Sequence, residues 1–485
     1  MFTSIGEQLA ISSWFNDKRL SKRFGNIVTT ISDNYGHSLP QSMGNKHQTK
    51  AAYNFMNNEK VTVEGLYSSE AYRLKEQLSS SEGQTYLAIS DTSSLNYTAN
   101  KSSEQLDCLD TAKQKGYFMQ TMALFDAQSC PEGLLRSFFY NRKPEDLHKS
   151  SRTKSADLSK QPIEEKESYR WLEDLNTLHL LFGTLTHHRF VHIMDREGDI
   201  FEVFSARRFE HIHILTRVNH DRKIADSLDT IKTCVQKTSS LGQIEVTIRD
   251  IPKQDKENTD KEAGKTSRVK RTAVLEVRFA PVKVVVPKDL KVYQKHKAYE
   301  PLDLYIVSTK EIAPQGQLSE EFEPLEWYLI TSMPIETLEQ AIEVIQFYAI
   351  RWRIEDFHLV LKEGAKVENF QYEDSHQLKN ALVVYAIAAL QVLRLRYLSE
   401  TQGDKPMEIL GYSSNAFVVV ATYLTKVKKV RVVVPTQPTV KDFLNLITIL
   451  GSGNPKLNGV RALWRGLRDF NIIYQTYCML KNDSS

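Results

Sequence analysis

The stretch LEQAIEVIQFYAIRWRIEDFHLVLKEG, ending at Gly364, constrains this chain more than any other. Its apolar spacing predicts one helix over residues 338–363. At about 100° per residue, Phe347, Ile350, Ile354, Phe357 and Leu361 share an arc of roughly 80°, which is a core face. Tyr348, Arg351, Glu355 and Lys362 fall on the other side within about 60°. A helix of this kind must be packed along one side. Its other side sets a phenol, a guanidinium, a carboxylate and an ammonium in a row. Taken alone, that row describes an ordinary solvated helix bearing ion pairs.

Two further carboxylates stand in strand-like contexts. TYLAISDTSSLNY is β-rich and is expected to break at an Asp-Thr-Ser-Ser turn, so that Asp91 ends a strand. RFVHIMDREGDI predicts another strand ending at Asp195. A single acidic residue at a strand end is usually a turn residue. Two such ends together with a helical Glu suggest three carboxylates, the oxygen-rich ligand set that hard divalent cations prefer. Phosphoryl transfer commonly uses two such ions, one activating a nucleophile and one stabilising the leaving oxygen.

The rest of the chain supplies the setting. At 485 residues it exceeds what one core usually serves, and two to four domains are expected. Residues 1–75 read as short helices with basic ends: Lys18, Arg19, Lys22 and Arg23 in DKRLSKRF, then Lys46, His47 and Lys50 in GNKHQTKAAYNFMN. Such ends can lie on phosphates, or can simply be solvated faces. YFMQTMALFDA and GLLRSFFYNR suggest an antiparallel pair, followed by a long polar loop and a helix containing Trp171. Residues 206–337 are β-rich, interrupted by the very polar segment KQDKENTDKEAGKTSRVKR. The apolar run Ala381–Leu390 is too short to cross a bilayer and reads as a buried helix.

Composition excludes few classes. The chain is 41% hydrophobic and 25% charged, as a globular protein is, and its net charge of +3 neither demands nor forbids a polyanionic partner. Its four cysteines form no CxxC pair, so neither a disulfide framework nor a zinc knuckle is suggested. The N-terminus lacks the pattern of a signal peptide, and a cytoplasmic location without membrane contact is expected.

The spacing Tyr348-x2-Arg351-x3-Glu355-x6-Lys362 resembles the Tyr-Arg-Glu-Lys signature of DDE transposases from bacterial insertion sequences, in particular the Tn-five (IS-fifty) group. Asp91 in AISDTSSLNY, Asp195 in MDREGDI, EKESYRW at 165–171 and Trp327 in LEWYLITSMP have counterparts there in the same order. The similarity runs through nearly the whole chain. It implies an α/β fold: an RNase H-like catalytic core (76–205 and 338–400), a β-rich insertion domain (206–337), a helical DNA-binding domain (1–75) and a mainly helical C-terminal dimerisation domain (401–485).

The resemblance also implies that Asp91, Asp195 and Glu355 ligate two Mg²⁺ or Mn²⁺ ions. Tyr348, Arg351 and Lys362 would hold phosphates beside the cut, with Arg19, Arg23, Lys46 and Lys50 as outer DNA contacts. Trp327 and Trp352 would flank a flipped base. Asp356 is expected to point away, Glu197 and Asp199 to cap the following helix, and His358 is left at the edge of the polar face. The implied partners are double-stranded DNA and a second copy of the chain. The activity implied is end cleavage through a hairpin, then strand transfer. A nuclease or resolvase of the same fold, and a non-enzymatic derivative that only binds DNA, are the alternatives.

Overall fold

A computed structural model describes residues 5–100, 106–111, 113–142, 160–248, 271–293, 298–312, 324–372, 374–452 and 460–482. Parts of the two polar segments expected as loops lie outside these residues. The chain forms two compact units. The first comprises 1–156, 173–191 and 351–485, and the second 157–172 and 192–350.

The first unit opens with five helices: α1 (Ile5–Ser12), α2 (Lys18–Asp33), α3 (Leu39–Met43), α4 (Lys46–Met56) and α5 (Val63–Ser79). Side chains placed just ahead of the helices satisfy otherwise orphaned N–H groups. Asp17 accepts from Arg19 N, Asn45 from Gln48 N and Thr62 from Gly65 N, at 2.9, 2.9 and 3.0 Å. Helices α1 and α2 meet backbone to backbone, because a Cβ on Gly25 would stand 2.0 Å from Gly6 O. Three antiparallel strands follow in the order β3-β2-β1: β1 (Thr85–Asn96), β2 (Gly116–Asp126) and β3 (Pro131–Tyr140). The expected pair of antiparallel strands is therefore β2 and β3.

The helix expected around Trp171 is α6 (Tyr169–Phe182), and the strand leading to Asp195 is β4 (Arg189–Met194). Strand β4 starts beside β1, where Arg189 N donates to Gln84 O at 3.1 Å. The second unit then contains α7 (Phe201–Ser205), β5 (Ile212–Arg217), α8 (Ile231–Gln236), β6 (Gly242–Ile248), β7 (Arg271–Val284), α9 (Lys288–Tyr293), β8 (Leu302–Glu311), β9 (Glu326–Thr331) and α10 (Leu338–Ile350). Its strands run in the order β5-β9-β8-β7-β6, each antiparallel to its neighbour. Strands dominate residues 206–337, with α8 and α9 as short helices that the pattern does not reveal.

The first unit resumes with α11 (Arg353–Leu359), a π turn (Val360–Gly364), α12 (Ser375–Thr401), α13 (Ser414–Lys426), α14 (Val440–Ser452) and α15 (Val460–Asn482). Asp374 caps α12 by accepting from His376 N and Gln377 N. This helix packs on β3, α2 and α5. It is long and apolar enough to span a bilayer, yet 72% of its most apolar window is buried inside the protein. Asn380 of α12 donates to the carbonyls of Met56 and Val61 at 2.9 and 2.7 Å, tying the core helix to the α4–α5 turn. The protein is mixed α/β.

Two expectations are corrected. The Asp-Thr-Ser-Ser sequence is not a turn: β1 continues through it, and Asp91 sits mid-strand opposite Thr121. Thr92, Ser93 and Ser94 keep the register with Gln120, Met119 and Phe118, and the Thr92 hydroxyl donates to the Gln120 side chain. Cross-strand partners thus outweigh the local turn tendency of Asp and Ser. The single helix expected over 338–363 is interrupted at Arg351–Trp352 and widens into the π turn. Constant rotation per residue therefore does not hold along it.

Candidate active site

Asp91 and Glu355 reach the same cation. On β1, the Asp91 carboxylate lies 3.9 Å from Arg351 Nη1, while Arg351 Nη2 donates to Glu355 Oε1 at 3.0 Å. Four residues separate Arg351 and Glu355, so one helical turn brings them together. The Asp91 side chain is 16% exposed, that of Glu355 44% and that of Arg351 11%. The guanidinium is thus largely withdrawn from water between two carboxylates, one of which faces solvent. The same guanidinium lies over the Trp352 ring at 5.1 Å.

His358 is the neighbour that the pattern left undecided. Its Nδ1 stands 3.8 Å from Asp91 Oδ2, and its Nε2 is buried without a hydrogen-bond partner among the described residues. Burial, reinforced by Lys362 and Arg351, lowers its pKa to about 3, so the imidazole is neutral at physiological pH. Lys362 donates to Ser94 O at 2.7 Å and lies 3.6 Å from Glu368. Ser94 is three residues beyond Asp91 on β1. Asp356 points elsewhere, as expected: it accepts from Tyr397 Oη at 2.6 Å.

In the second unit, Asp195 follows β4 directly. Its Oδ1 accepts from Glu197 N at 2.8 Å, and its carbonyl accepts from Thr216 Oγ1 on β5 at 2.5 Å. Glu197 and Asp199 do not act as the expected helix caps. Glu197 pairs with Arg170. Asp199 is buried, accepts from the N–H groups of Asn219 and His220 at 2.6 and 2.8 Å, and pairs with Arg222. It anchors the chain after β5. Trp327 and Tyr348 are both buried and meet edge to face at 5.7 Å.

The basic N-terminal side chains Lys18, Arg19, Lys22, Arg23, Lys46, His47 and Lys50 are all exposed. Arg19 folds back on the N-cap Asp17 at 3.1 Å. Lys46 and Lys50 border a shallow depression with Asn45, Thr49 and Tyr53. His188 is buried with Nε2 2.9 Å from Leu78 O, whereas His187 is exposed.

Among the described residues, one group the pattern missed has ligand-type atoms within 4.8 Å of one another: Asp126, Cys130 and Glu132, at the β2–β3 turn. One oxygen of each carboxylate already has partners. Asp126 Oδ1 accepts from Gln128 N and Cys130 N at 2.9 and 2.8 Å, and Glu132 pairs with Arg394 at 3.2 Å.

Comparison with known families gives two matches. Residues 8–61 match the transposase DNA-binding family, a span holding α2, α3 and α4 with all the basic side chains just named. Residues 203–391 match the transposase DDE domain family, a span that includes Trp327, Tyr348, Arg351, Trp352, Glu355 and Lys362 and begins after Asp91 and Asp195. A transposase DNA-binding domain followed by a transposase DDE domain supports a DNA transposase, with the divalent-metal chemistry of DDE enzymes.

Proposed function

We propose that the chain is a transposase of the Tyr-Arg-Glu-Lys, Tn-five-like group, acting on the terminal inverted repeats of its own element. The observation that carries this reading is the shared guanidinium: Asp91 from a mid-sheet position and Glu355 from a helix 264 positions later in the sequence both lie on Arg351. Asp195, which follows β4 directly, is the third ligand in this reading. The donors fit Mg²⁺ or Mn²⁺, because they are hard carboxylate oxygens with no thiolate among them. Two ions held there would activate the attacking oxygen and steady the leaving one.

The chain's own residues do the rest. Arg351 keeps the two carboxylates near each other when the ions are absent, and its fork suits phosphate oxygens when DNA is present. Lys362 adds a point charge beside β1. The neutral His358 backs Asp91 without adding charge. Residues 1–75 grip the terminal repeats, mainly through phosphates. Trp327 and Trp352 flank a flipped base, and the 206–337 module is the insertion domain. Cleavage proceeds by nicking, hairpin formation and resolution, and the same 3′ end then attacks target DNA, each step an in-line displacement. Two copies of the chain, joined through residues 401–485, would bring the two ends together.

Precut end DNA with Mg²⁺ and a target plasmid tests this directly. Joined products support transposition, whereas hydrolysis without joining identifies a nuclease. Glu355→Ala should abolish Mg²⁺-dependent cleavage while leaving end binding intact. Unchanged cleavage would remove Glu355 from the site.

A further inference from the structure

The π turn that follows the Glu355 helix is held from two sides by segments far away in sequence. Val360 O accepts from Ala365 N at 3.2 Å, the i→i+5 bond of the turn, and also from Tyr35 Oη at 3.1 Å. Tyr35 is buried just after α2 and, for that reason, its phenol stays protonated far above its ordinary range. Gly364 closes the turn between two rings. A Cβ there would come within 2.9 Å of Tyr35 Cε1 and 3.2 Å of Trp464 Cδ2 on α15. One residue earlier, Glu363 takes both nitrogens of a bidentate Arg461, also on α15.

This turn decides where Lys362 goes. In an uninterrupted α-helix Lys362 would stand seven residues and about 20° from Glu355, on the same stripe. A π turn has a wider hydrogen-bonded ring and fewer degrees per residue, so side chains beyond Leu359 leave that stripe. Lys362 instead donates to Ser94 O on β1, the strand that carries Asp91. Such turns persist where the surroundings over-determine them, and here the surroundings are Tyr35 and Trp464.

We propose that Tyr35 and Trp464 are positioning residues that act through the π turn to set Lys362 beside β1. The segment directly after the basic helix α2 and the C-terminal helix α15 then fix the register of the strand and helix that carry Asp91 and Glu355. The inference rests on the transposase reading for its assay but makes a separate claim.

The test uses the full-length chain and single-turnover nicking of end DNA, with end affinity measured in parallel. Tyr35→Phe keeps the ring and removes one hydrogen bond. It should slow nicking by about five- to tenfold with end affinity unchanged. In a Lys362→Ala background it should have no further effect, because both changes act on one placement. Trp464→Phe should retain more activity than Trp464→Ala. Amide exchange at Ala365 should rise in Tyr35→Phe, and this readout does not depend on activity. Independent, multiplying losses in the double variant, or unchanged exchange at Ala365, would overturn the proposal. An Asp91→Ala protein that still nicked DNA would overturn the functional reading, leaving the exchange measurement to judge the clamp.

Discussion

The first unit holds two groups of acidic side chains, each with an Asp and a Glu, whose surroundings differ. At the β2–β3 turn, Asp126 and Glu132 lie beside Cys130, with Asp126 Oδ1 taken by two backbone N–H groups and Glu132 Oε2 paired with Arg394. Burial pushes the Asp126 carboxyl up and the Cys130 thiol up to about 12. On the Asp91 side, the carboxylates come from a strand and a helix, share the Arg351 guanidinium, and include one that is 44% exposed. The first arrangement closes a turn, whereas the second leaves the Glu355 carboxylate partly open to solvent next to a cation. Proximity of acids therefore does not mark a reactive centre. What separates the two is what the oxygens face: backbone N–H groups and Arg394 at the turn, and the Arg351 guanidinium with, for Glu355, solvent at the other group.

The comparison can be broken most easily at its strong end. Asp91→Ala should cost on the order of a thousandfold or more in cleavage, measured as single-turnover nicking in Mg²⁺, with the circular dichroism spectrum unchanged. Retained nicking would put Asp91 in the same class as Asp126. Arg351→Lys keeps the charge but loses the fork that reaches both carboxylates. A loss of roughly a hundredfold is expected, and a rate near that of the unmodified protein would show that the shared guanidinium is incidental.

A smaller effect concerns acid stability. His358 is neutral in the folded chain down to about pH 3, whereas an unfolded histidine protonates near 6.5. The unfolded state therefore binds the extra proton first. The stability this group contributes is present above pH 6.5 and is lost as pH falls from 6.5 towards 3, at roughly 1.4 kcal/mol per pH unit. His358→Gln should flatten that part of the profile in urea titrations, and an unchanged slope would mean the imidazole is not held neutral. Smallest of all for chemistry is Glu132→Gln. Cleavage should stay within about twofold, while stability falls by about 1–3 kcal/mol as the Arg394 pair is weakened. A cleavage defect without a change in melting temperature would erase the contrast between the two acidic groups.

Much of this was legible in the sequence because it depends on local spacing. Alternation located β2, β3, β4 and the strands of the second unit. The spacing of Arg351 and Glu355 sets them on one face, where they meet, and the apolar run at 381–390 predicts a buried helix. Asp356 was correctly set aside by rotation alone. The misreadings share one cause. Asp91 was placed at a strand end because Asp, Thr and Ser favour turns locally, but pairing with β2 carries the strand onward. Asp199 was read as a cap because the helix lies next to it in sequence, yet its partners, Asn219, His220 and Arg222, are about twenty residues away.

The sequence by itself determined most of the strands, the polar stripe of the Glu355 segment and the residue types available for metal and phosphate. These follow from periodicity and side-chain chemistry, which act over a few residues. Only the tertiary structure decided that Asp91 shares a guanidinium with Glu355, that His358 stands behind it uncharged, and that the helix widens before Lys362. Each of those depends on partners dozens to hundreds of positions away. A hydrogen bond from Tyr35 or a ring from Trp464 leaves no trace in the spacing of residues 338–363, because neither lies within that segment.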